Sequence, residues 1–181
     1  MLGYTPLKTG VAYLAVAGTA IIWANVAAQV VNRVGVKPAL IFGMTMMTIG
    51  LLYFTRVSVG GSYLGDLLPG FLIIGLGMPF CFIPITIASL AGTKPEQAGL
   101  ASGLINTSQQ IGGALGIAVL STVATSGFHV GVLPSPEQLT HGFQNAFWVG
   151  AGVSAIGILV SVFLVRGSDV APVLSPAVEA A

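Results

Sequence analysis

Four carboxamides in this chain have the spacing to act in pairs. Asn106 and Gln110 stand four residues apart, and so do Asn25 and Gln29. On a helix that spacing puts both members of a pair on one face. A carboxamide offers hydrogen-bond donors and an acceptor without carrying a charge. In apolar surroundings it can bond a neighbouring helix or line a polar pathway. For both pairs the residues alone leave those two uses open.

The residue types that break and make covalent bonds are not arranged for it. No phosphate-binding Walker loop, zinc-binding HExxH or nucleophile elbow GxSxG occurs. Gly75-Leu76-Gly77 runs into Met78-Pro79, so it is no dinucleotide fingerprint. His129 and His141 fall in one polar loop with no third ligand, and Met44, Met46 and Met47 cluster without His or Cys, so no metal site is expected. Cys81 is the only cysteine and sits in an apolar run, where it reads as a small packing residue. No catalytic residue and no cofactor is expected, and the chain does not read as an enzyme.

The setting that must hold the amides is hydrocarbon. Of 181 residues 55% are hydrophobic and only 6% charged, with a mean hydropathy of +0.95. Soluble domains carry about a quarter charged residues, so this composition indicates an all-α membrane protein crossing the bilayer several times. A net charge of +1 leaves no basic patch for nucleic acid. Five uncharged runs follow one another, at about residues 9–31, 39–55, 67–92, 99–124 and 142–165. Each is expected to span a hydrocarbon core about 30 Å thick. Together residues 1–166 form one bundle, and residues 167–181, rich in Ala, Pro, Ser and Val, read as a disordered cytoplasmic tail.

Each run has its own punctuation. Residues 32–38 form a tight turn with Arg33, Gly35 and Lys37, and Pro38 opens the next helix. The third run contains Pro79 and Pro84, each of which removes a backbone hydrogen bond and is expected to kink the helix. No Asp, Glu, Lys, Arg or His lies mid-span, so no proton relay is visible. Asp66 is the one carboxylate near a hydrocarbon boundary, where it suits a helix N-terminus. Arg33, Lys37, Lys94 and Arg166 fall on one side and Lys8 and Arg56 on the other. The excess of cations places the first group in the cytoplasm, the N-terminus outside and the C-terminus inside.

The fourth run organises the rest. Wound at about 100° per residue, it gathers Gly99, Gly103, Asn106, Gln110, Gly113 and Ile117 on one narrow face. Leu100, Leu104, Ile111 and Leu115 gather about a third of a turn away. The expectation is an amide face turned to protein or a cavity and a leucine face turned to lipid. Gly99, Gly103, Gly113 and Gly116 are expected to let neighbouring helices approach closely.

These residues resemble a known family. Gly3-Tyr4-Thr5-Pro6-Leu7-Lys8-Thr9-Gly10 resembles the G-x-S-P-L-x-A-G opening of a late span in drug exporters of the major facilitator superfamily. Asn32-Arg33-Val34-Gly35-Val36-Lys37 is similar to that superfamily's cytoplasmic loop motif D-R-x-G-R-R, with Asn32 where Asp is usual. Gly75-Leu76-Gly77 with Pro84, then residues 98–103 (AGLASG) and 112–119 (GGALGIAV), resembles the fourteen-span EmrB/QacA-type drug:proton antiporters. Relatives often carry Arg where this chain has Gln109. The likeness runs to about Arg166 and covers only the family's C-terminal five spans.

The resemblance implies a piece of a multidrug efflux antiporter in the plasma membrane. Such a transporter exports amphipathic or cationic organic compounds in exchange for protons. Its partners are the lipid bilayer, a drug-like small molecule and protons once the transporter is complete. Substrate in such transporters lies between two halves that rock against each other, so the missing N-terminal spans or a partner chain are needed. Asn106 and Gln110 are then the first candidates for the substrate pathway, with Asn25 and Gln29 second. The alternative expectation is a non-transporting remnant or membrane assembly partner, in which the same amides and glycines only pack helices.

Overall fold

The computed structural model describes residues 6–91, 93–128 and 133–165. They form five α-helices: α1 (Pro6–Val34), α2 (Val36–Phe54), α3 (Leu68–Leu90), α4 (Ala98–Thr125) and α5 (Pro136–Leu164). A single π-turn, Tyr63–Leu67, leads into α3, and a 3₁₀ turn, Pro95–Gln97, leads into α4. No strand occurs among the described residues. Lipid supplies no backbone partners, so a spanning segment must satisfy its own N–H and C=O groups, as these helices do. Residues 10–34, 36–54, 63–90 and 136–164 are long and apolar enough to cross a membrane. The fourth run's helix, α4, is uncharged and 28 residues long, but its glycines and amides leave it less apolar than the other four.

Local chemistry sets the joints. Gly35 alone separates α1 from α2, and its φ of 91° makes the reversal that a residue with a Cβ would resist. Its N–H still bonds Val31 O at 2.9 Å, so α1 is closed off as α2 begins. At the start of α5, Ser135 Oγ accepts from the Gln138 N–H and the Gln138 side chain accepts from the Ser135 N–H, with Pro136 at the first helical position. This capping box starts α5 six residues ahead of the fifth apolar run. His141, expected in a loop, therefore lies on α5. His129, Arg166 and the tail 167–181 fall outside the described residues.

The packing centres on α3, which is laid between α1 and α2, while α2 packs its other side on α5. Small residues make this possible. A Cβ on Gly43 of α2 would sit 2.6 Å from the Phe80 carbonyl carbon of α3, and one on Gly77 would sit 2.8 Å from Met46 Cβ. Gly50 faces Ile74, Gly70 faces the Phe54 ring, and Gly75 faces Thr19 of α1. Pro79 and Pro84 both lie buried inside α3, which continues through them to Leu90. A proline leaves the carbonyl four residues earlier without its helical donor. For Pro84 that is the Phe80 carbonyl, the group against which Gly43 is pressed.

One end of the bundle is closed by a cluster of rings and the other mainly by aliphatic side chains around Phe80. Phe54 stacks on Phe71 and Phe147 at 5.3 and 5.2 Å between centroids, and Tyr13 joins Phe71 at 5.3 Å. Tyr63 donates to Ala12 O at 2.8 Å and Gln144 to Val57 O at 2.7 Å, which ties the 55–67 loop to α1 and α5. At the opposite end Ala27, Val31, Val36, Ala39 and Phe80 are buried together. There Lys37 reaches across to donate to Val162 O at 2.6 Å, one of the last carbonyls of α5.

Candidate functional site

α4 is the least covered helix. It rests mainly on α5, where Gly142 packs against the Ala124 carbonyl, and touches α3 only lightly. Ala124 is its only buried residue, and along its first eleven residues only Ala101 and Ile105 are even half-buried. It makes no contact with α2. The space enclosed is a cleft of about 760 Å³ between α2, α3, α4 and α5.

The walls of the cleft are neutral and mostly hydrocarbon. Met44, Met47 and Leu51 line it from α2, and Cys81, Phe82 and Ile85 from α3. α5 supplies Val149, Gly150, Val153, Ser154 and Gly157. α4 supplies Gln109, Gly112, Leu115, Gly116, Val119 and Leu120. The polar groups are few. Ser154 Oγ donates to Met44 O at 3.2 Å and receives Thr48 Oγ1 at 3.0 Å, while Thr48 Oγ1 also lies 2.9 Å from Met44 O. The Gln109 amide has no hydrogen-bond partner among the described residues. No charged side chain lines it among the described residues, so its surface suits an apolar or amphipathic occupant.

The expected pathway residues lie elsewhere. Asn106 and Gln110 are exposed on α4 and do not line the cleft. Asn25 and Gln29 are exposed on α1, which makes no contact with α4, and α3 touches both helices. The structure thus leaves the two amide pairs apart, and none of the four amides has a hydrogen-bond partner among the described residues. Gly99, Gly103 and Gly113 face open space, a Cβ at any of them meeting nothing within 4 Å. Gly116 has equal room but lines the cleft.

α4 therefore has three faces where the sequence suggested two. The cleft face, built on Gln109, Gly112 and Gly116, lies about a third of a turn from the amide face, on the side away from Leu100, Leu104 and Ile111. Leu115, expected with those leucines, sits at the edge of the cleft. Sequence reasoning passed over Gln109 and Ser154 as site residues. Their signal was a polar side chain in mid-span, spaced with glycines at Gly112 and Gly116 in one case and at Gly150 and Gly157 in the other.

Comparison with known proteins gives this geometry a family. The sequence profile of the Major Facilitator Superfamily matches residues 1–117. The puromycin resistance protein pur8 of Streptomyces alboniger is 31% identical over 166 residues, covering 88% of this chain and 33% of that protein. The multidrug resistance protein Stp of Mycobacterium tuberculosis is 30% identical over 136 residues, 75% of this chain and 25% of that protein. The lincomycin resistance protein LmrB of Listeria innocua is 33% identical over 139 residues, 72% of this chain and 29% of that protein. The chain spans a quarter to a third of the length of these relatives. Its apolar helices, its glycine-rich α3 and the profile match agree: this chain is a multi-pass membrane protein of the Major Facilitator Superfamily.

Proposed function

We propose that the chain is part of a drug exporter, and that with further spans it moves amphipathic or cationic organic compounds out across the plasma membrane in exchange for protons. The observation that carries this reading is the uncovered amide face of α4. Asn106 and Gln110 are exposed and unpartnered on a long uncharged helix. Unpaired amides are costly in hydrocarbon, so that face meets protein or an aqueous path in the complete assembly. The relatives are named for resistance to puromycin, to lincomycin and to several drugs, which supports drug-like organic compounds as substrates. Asn106 and Gln110 are the first contacts for substrate in this reading, and Asn25 and Gln29 line the path on α1. Gly99, Gly103, Gly113 and Gly116 give the remaining spans close access to α4.

Proton exchange draws its ionisable groups from outside this chain's helices, because no Asp, Glu, Lys, Arg or His stands in mid-span here. Arg33, Lys37 and Lys94 mark the cytoplasmic side, which puts the N-terminus outside and the C-terminus inside. Dye efflux from cells stripped of their own pumps tests the reading. The chain alone is expected to give none. Co-expressed with the part of a relative that it does not cover, it is expected to restore efflux, and Asn106→Ala with Gln110→Ala to reduce it. Efflux by the lone chain sinks the proposal that it is a part. No efflux from a complex that has assembled favours a packing role without transport.

A further inference from the structure

We propose that the hollow between the end of α4 and the start of α5 binds the head group of an aminophospholipid, with the ammonium on the α4 side and the phosphate on the α5 side. No residue of the proposed substrate path lines this hollow, so the site stands apart from the export proposal.

The hollow follows from one contact. Gly142 has no side chain, so the Ala124 carbonyl of α4 lies directly on α5 there. Past that contact the chain leaves α4 through Ser126, Gly127 and Phe128, and a space of about 210 Å³ remains between this turn and α5. It lies at the end of the bundle that carries the 55–67 loop, which Gln144 of α5 ties in through Val57 O.

The α4 wall accepts hydrogen bonds. The last carbonyls of a helix lack helical donors. Here the Ser126 N–H and hydroxyl both go to Val123 O, at 3.4 and 2.9 Å, and the Phe128 N–H goes to Thr125 O at 3.0 Å. These donors pass over the carbonyl of Ala124, a buried residue that lines the hollow. A buried carbonyl without a donor is costly, and the negative end of the α4 dipole favours a cation beside it. An ammonium brings both the N–H and the charge.

The α5 wall donates. Gln138, His141 and Asn145 are three and four residues apart and share the face of α5 that lines the hollow. The Gln138 oxygen is held by the Ser135 N–H at 2.9 Å, which leaves its NH₂ group to donate. The His141 ring and the Asn145 amide have no hydrogen-bond partner among the described residues. Ring and amide N–H groups suit the oxygens of a phosphate. No Lys or Arg lines the hollow, so an anionic head group would find no counter-charge, whereas a zwitterion carries its own.

Depth selects a lipid over a solute. Gly142 opens the apolar run of α5 and Ala124 closes that of α4, so the hollow sits where hydrocarbon meets water. Trp148, exposed within about two turns of Gly142, suits the same boundary. The space is the share of about seven waters at about 30 Å³ each, room for a head group while its acyl chains stay in the bilayer.

Native mass spectrometry of the full chain in mild detergent tests the site. The chain is mixed with phosphatidylethanolamine, its monomethyl and dimethyl derivatives and phosphatidylcholine, all with matched acyl chains. This series loses its N–H groups one by one until phosphatidylcholine has none. Retention is expected to fall along the series, several-fold between its ends. His141→Leu with Asn145→Leu is expected to lower retention of phosphatidylethanolamine several-fold, and Leu159→Ala, on exposed α5 surface away from the hollow, to leave it unchanged. Equal retention of the two ends of the series overturns the proposal, and so does a preference that the double variant leaves intact. Stronger retention of phosphatidylglycerol assigns the hollow to an anion and overturns it too. Glycerophosphoethanolamine held as tightly as the lipid assigns the hollow to a water-soluble solute, against the lipid. The methylation series needs no variant, so it decides the matter even where the double variant fails to fold.

Discussion

The α2–α3 contact and helix α4 use glycine in opposite ways. Between α2 and α3 every open position is already occupied: Gly43 lies against the Phe80 carbonyl, Gly77 against Met46 and Gly70 against the Phe54 ring. On α4, Gly99, Gly103, Gly112, Gly113 and Gly116 meet nothing within 4 Å. The same residue type is a finished contact in one region and a vacant one in the other. The difference separates the interfaces the described helices already make from a helix face they leave uncovered. Apolar surface gains nothing by association alone in lipid, so close packing of bare backbone is what holds such helices together. The α1–α2–α3–α5 group has that packing, and α4 has it only beside Ala124.

The strongest way to break this comparison is to crowd each region. Gly43→Leu drives a side chain into the backbone at Phe80 and Cys81, neither of which can turn aside. It is expected to cost about 3 kcal/mol or more and to leave little folded protein in detergent. Unfolding by a denaturing detergent, followed by Trp23 and Trp148 fluorescence, measures it. A Gly43→Leu protein as stable as the parent would show that α2 and α3 are not in this register. Gly113→Leu has the next largest effect, and it is of another kind. In the chain alone its unfolding is expected to stay within about 0.5 kcal/mol of the parent, as at an uncrowded surface position. In an assembly with further spans, as proposed above, it is expected to abolish dye efflux. Unchanged efflux there would free Gly113 from any packing role.

A gentler substitution sharpens the same contrast through its sign. Alanine in place of glycine favours a helix by up to about 1 kcal/mol. At Gly113 nothing opposes that gain, so Gly113→Ala is expected to stabilise the chain slightly. At Gly43 the new methyl would sit 2.6 Å from the Phe80 carbonyl carbon, well inside contact distance, so Gly43→Ala is expected to destabilise it by about 1 to 2 kcal/mol. Equal signs from the two unfolding curves would erase the distinction between filled and vacant glycines.

The sequence carried the helical class and the family plainly, because long uncharged runs and a register of small residues are local signals. Residues 75–77 with Pro84, and residues 98–103 and 112–119, needed no partner to be recognised. The turn at Gly35 was legible for the same reason, since a positive φ is a property of one residue. The early start of α5 was equally local and was overlooked: Ser135, Pro136 and Gln138 spell a helix start ahead of the apolar run. What periodicity could not choose was the face of α4. Small and polar residues recur at 99, 103, 106, 110 and 113, and again at 109, 112 and 116. Both series obey the helical repeat, and only the position of α2, α3 and α5 makes the second one a cleft wall. The glycines of α3 looked no different in sequence from those of α4. Which of them are covered depends on helices distant in the chain, which the local sequence does not reveal.

The smallest effects are expected from single polar groups, and they divide along the same line. Ser154 is held by α2, its hydroxyl joined to Thr48 at 3.0 Å and to the Met44 carbonyl at 3.2 Å. Gln109 lines the same cleft from α4 and has no hydrogen-bond partner among the described residues. Hydrogen bonds between membrane helices average about 0.6 kcal/mol, so Ser154→Ala is expected to lower the stability of the chain by about that amount. Thr48 then turns its hydroxyl wholly to Met44 O, 2.9 Å away, which limits the loss. Gln109→Leu removes an amide that none of the described residues satisfies, so it is expected to leave stability unchanged or raised. Measuring both variants by unfolding separates a hydroxyl already bonded between helices from an amide without a partner among the described residues. A Gln109→Leu chain that unfolds more easily on its own would mean the amide already has a partner within these five helices, and α4 would then belong with the finished part of the bundle.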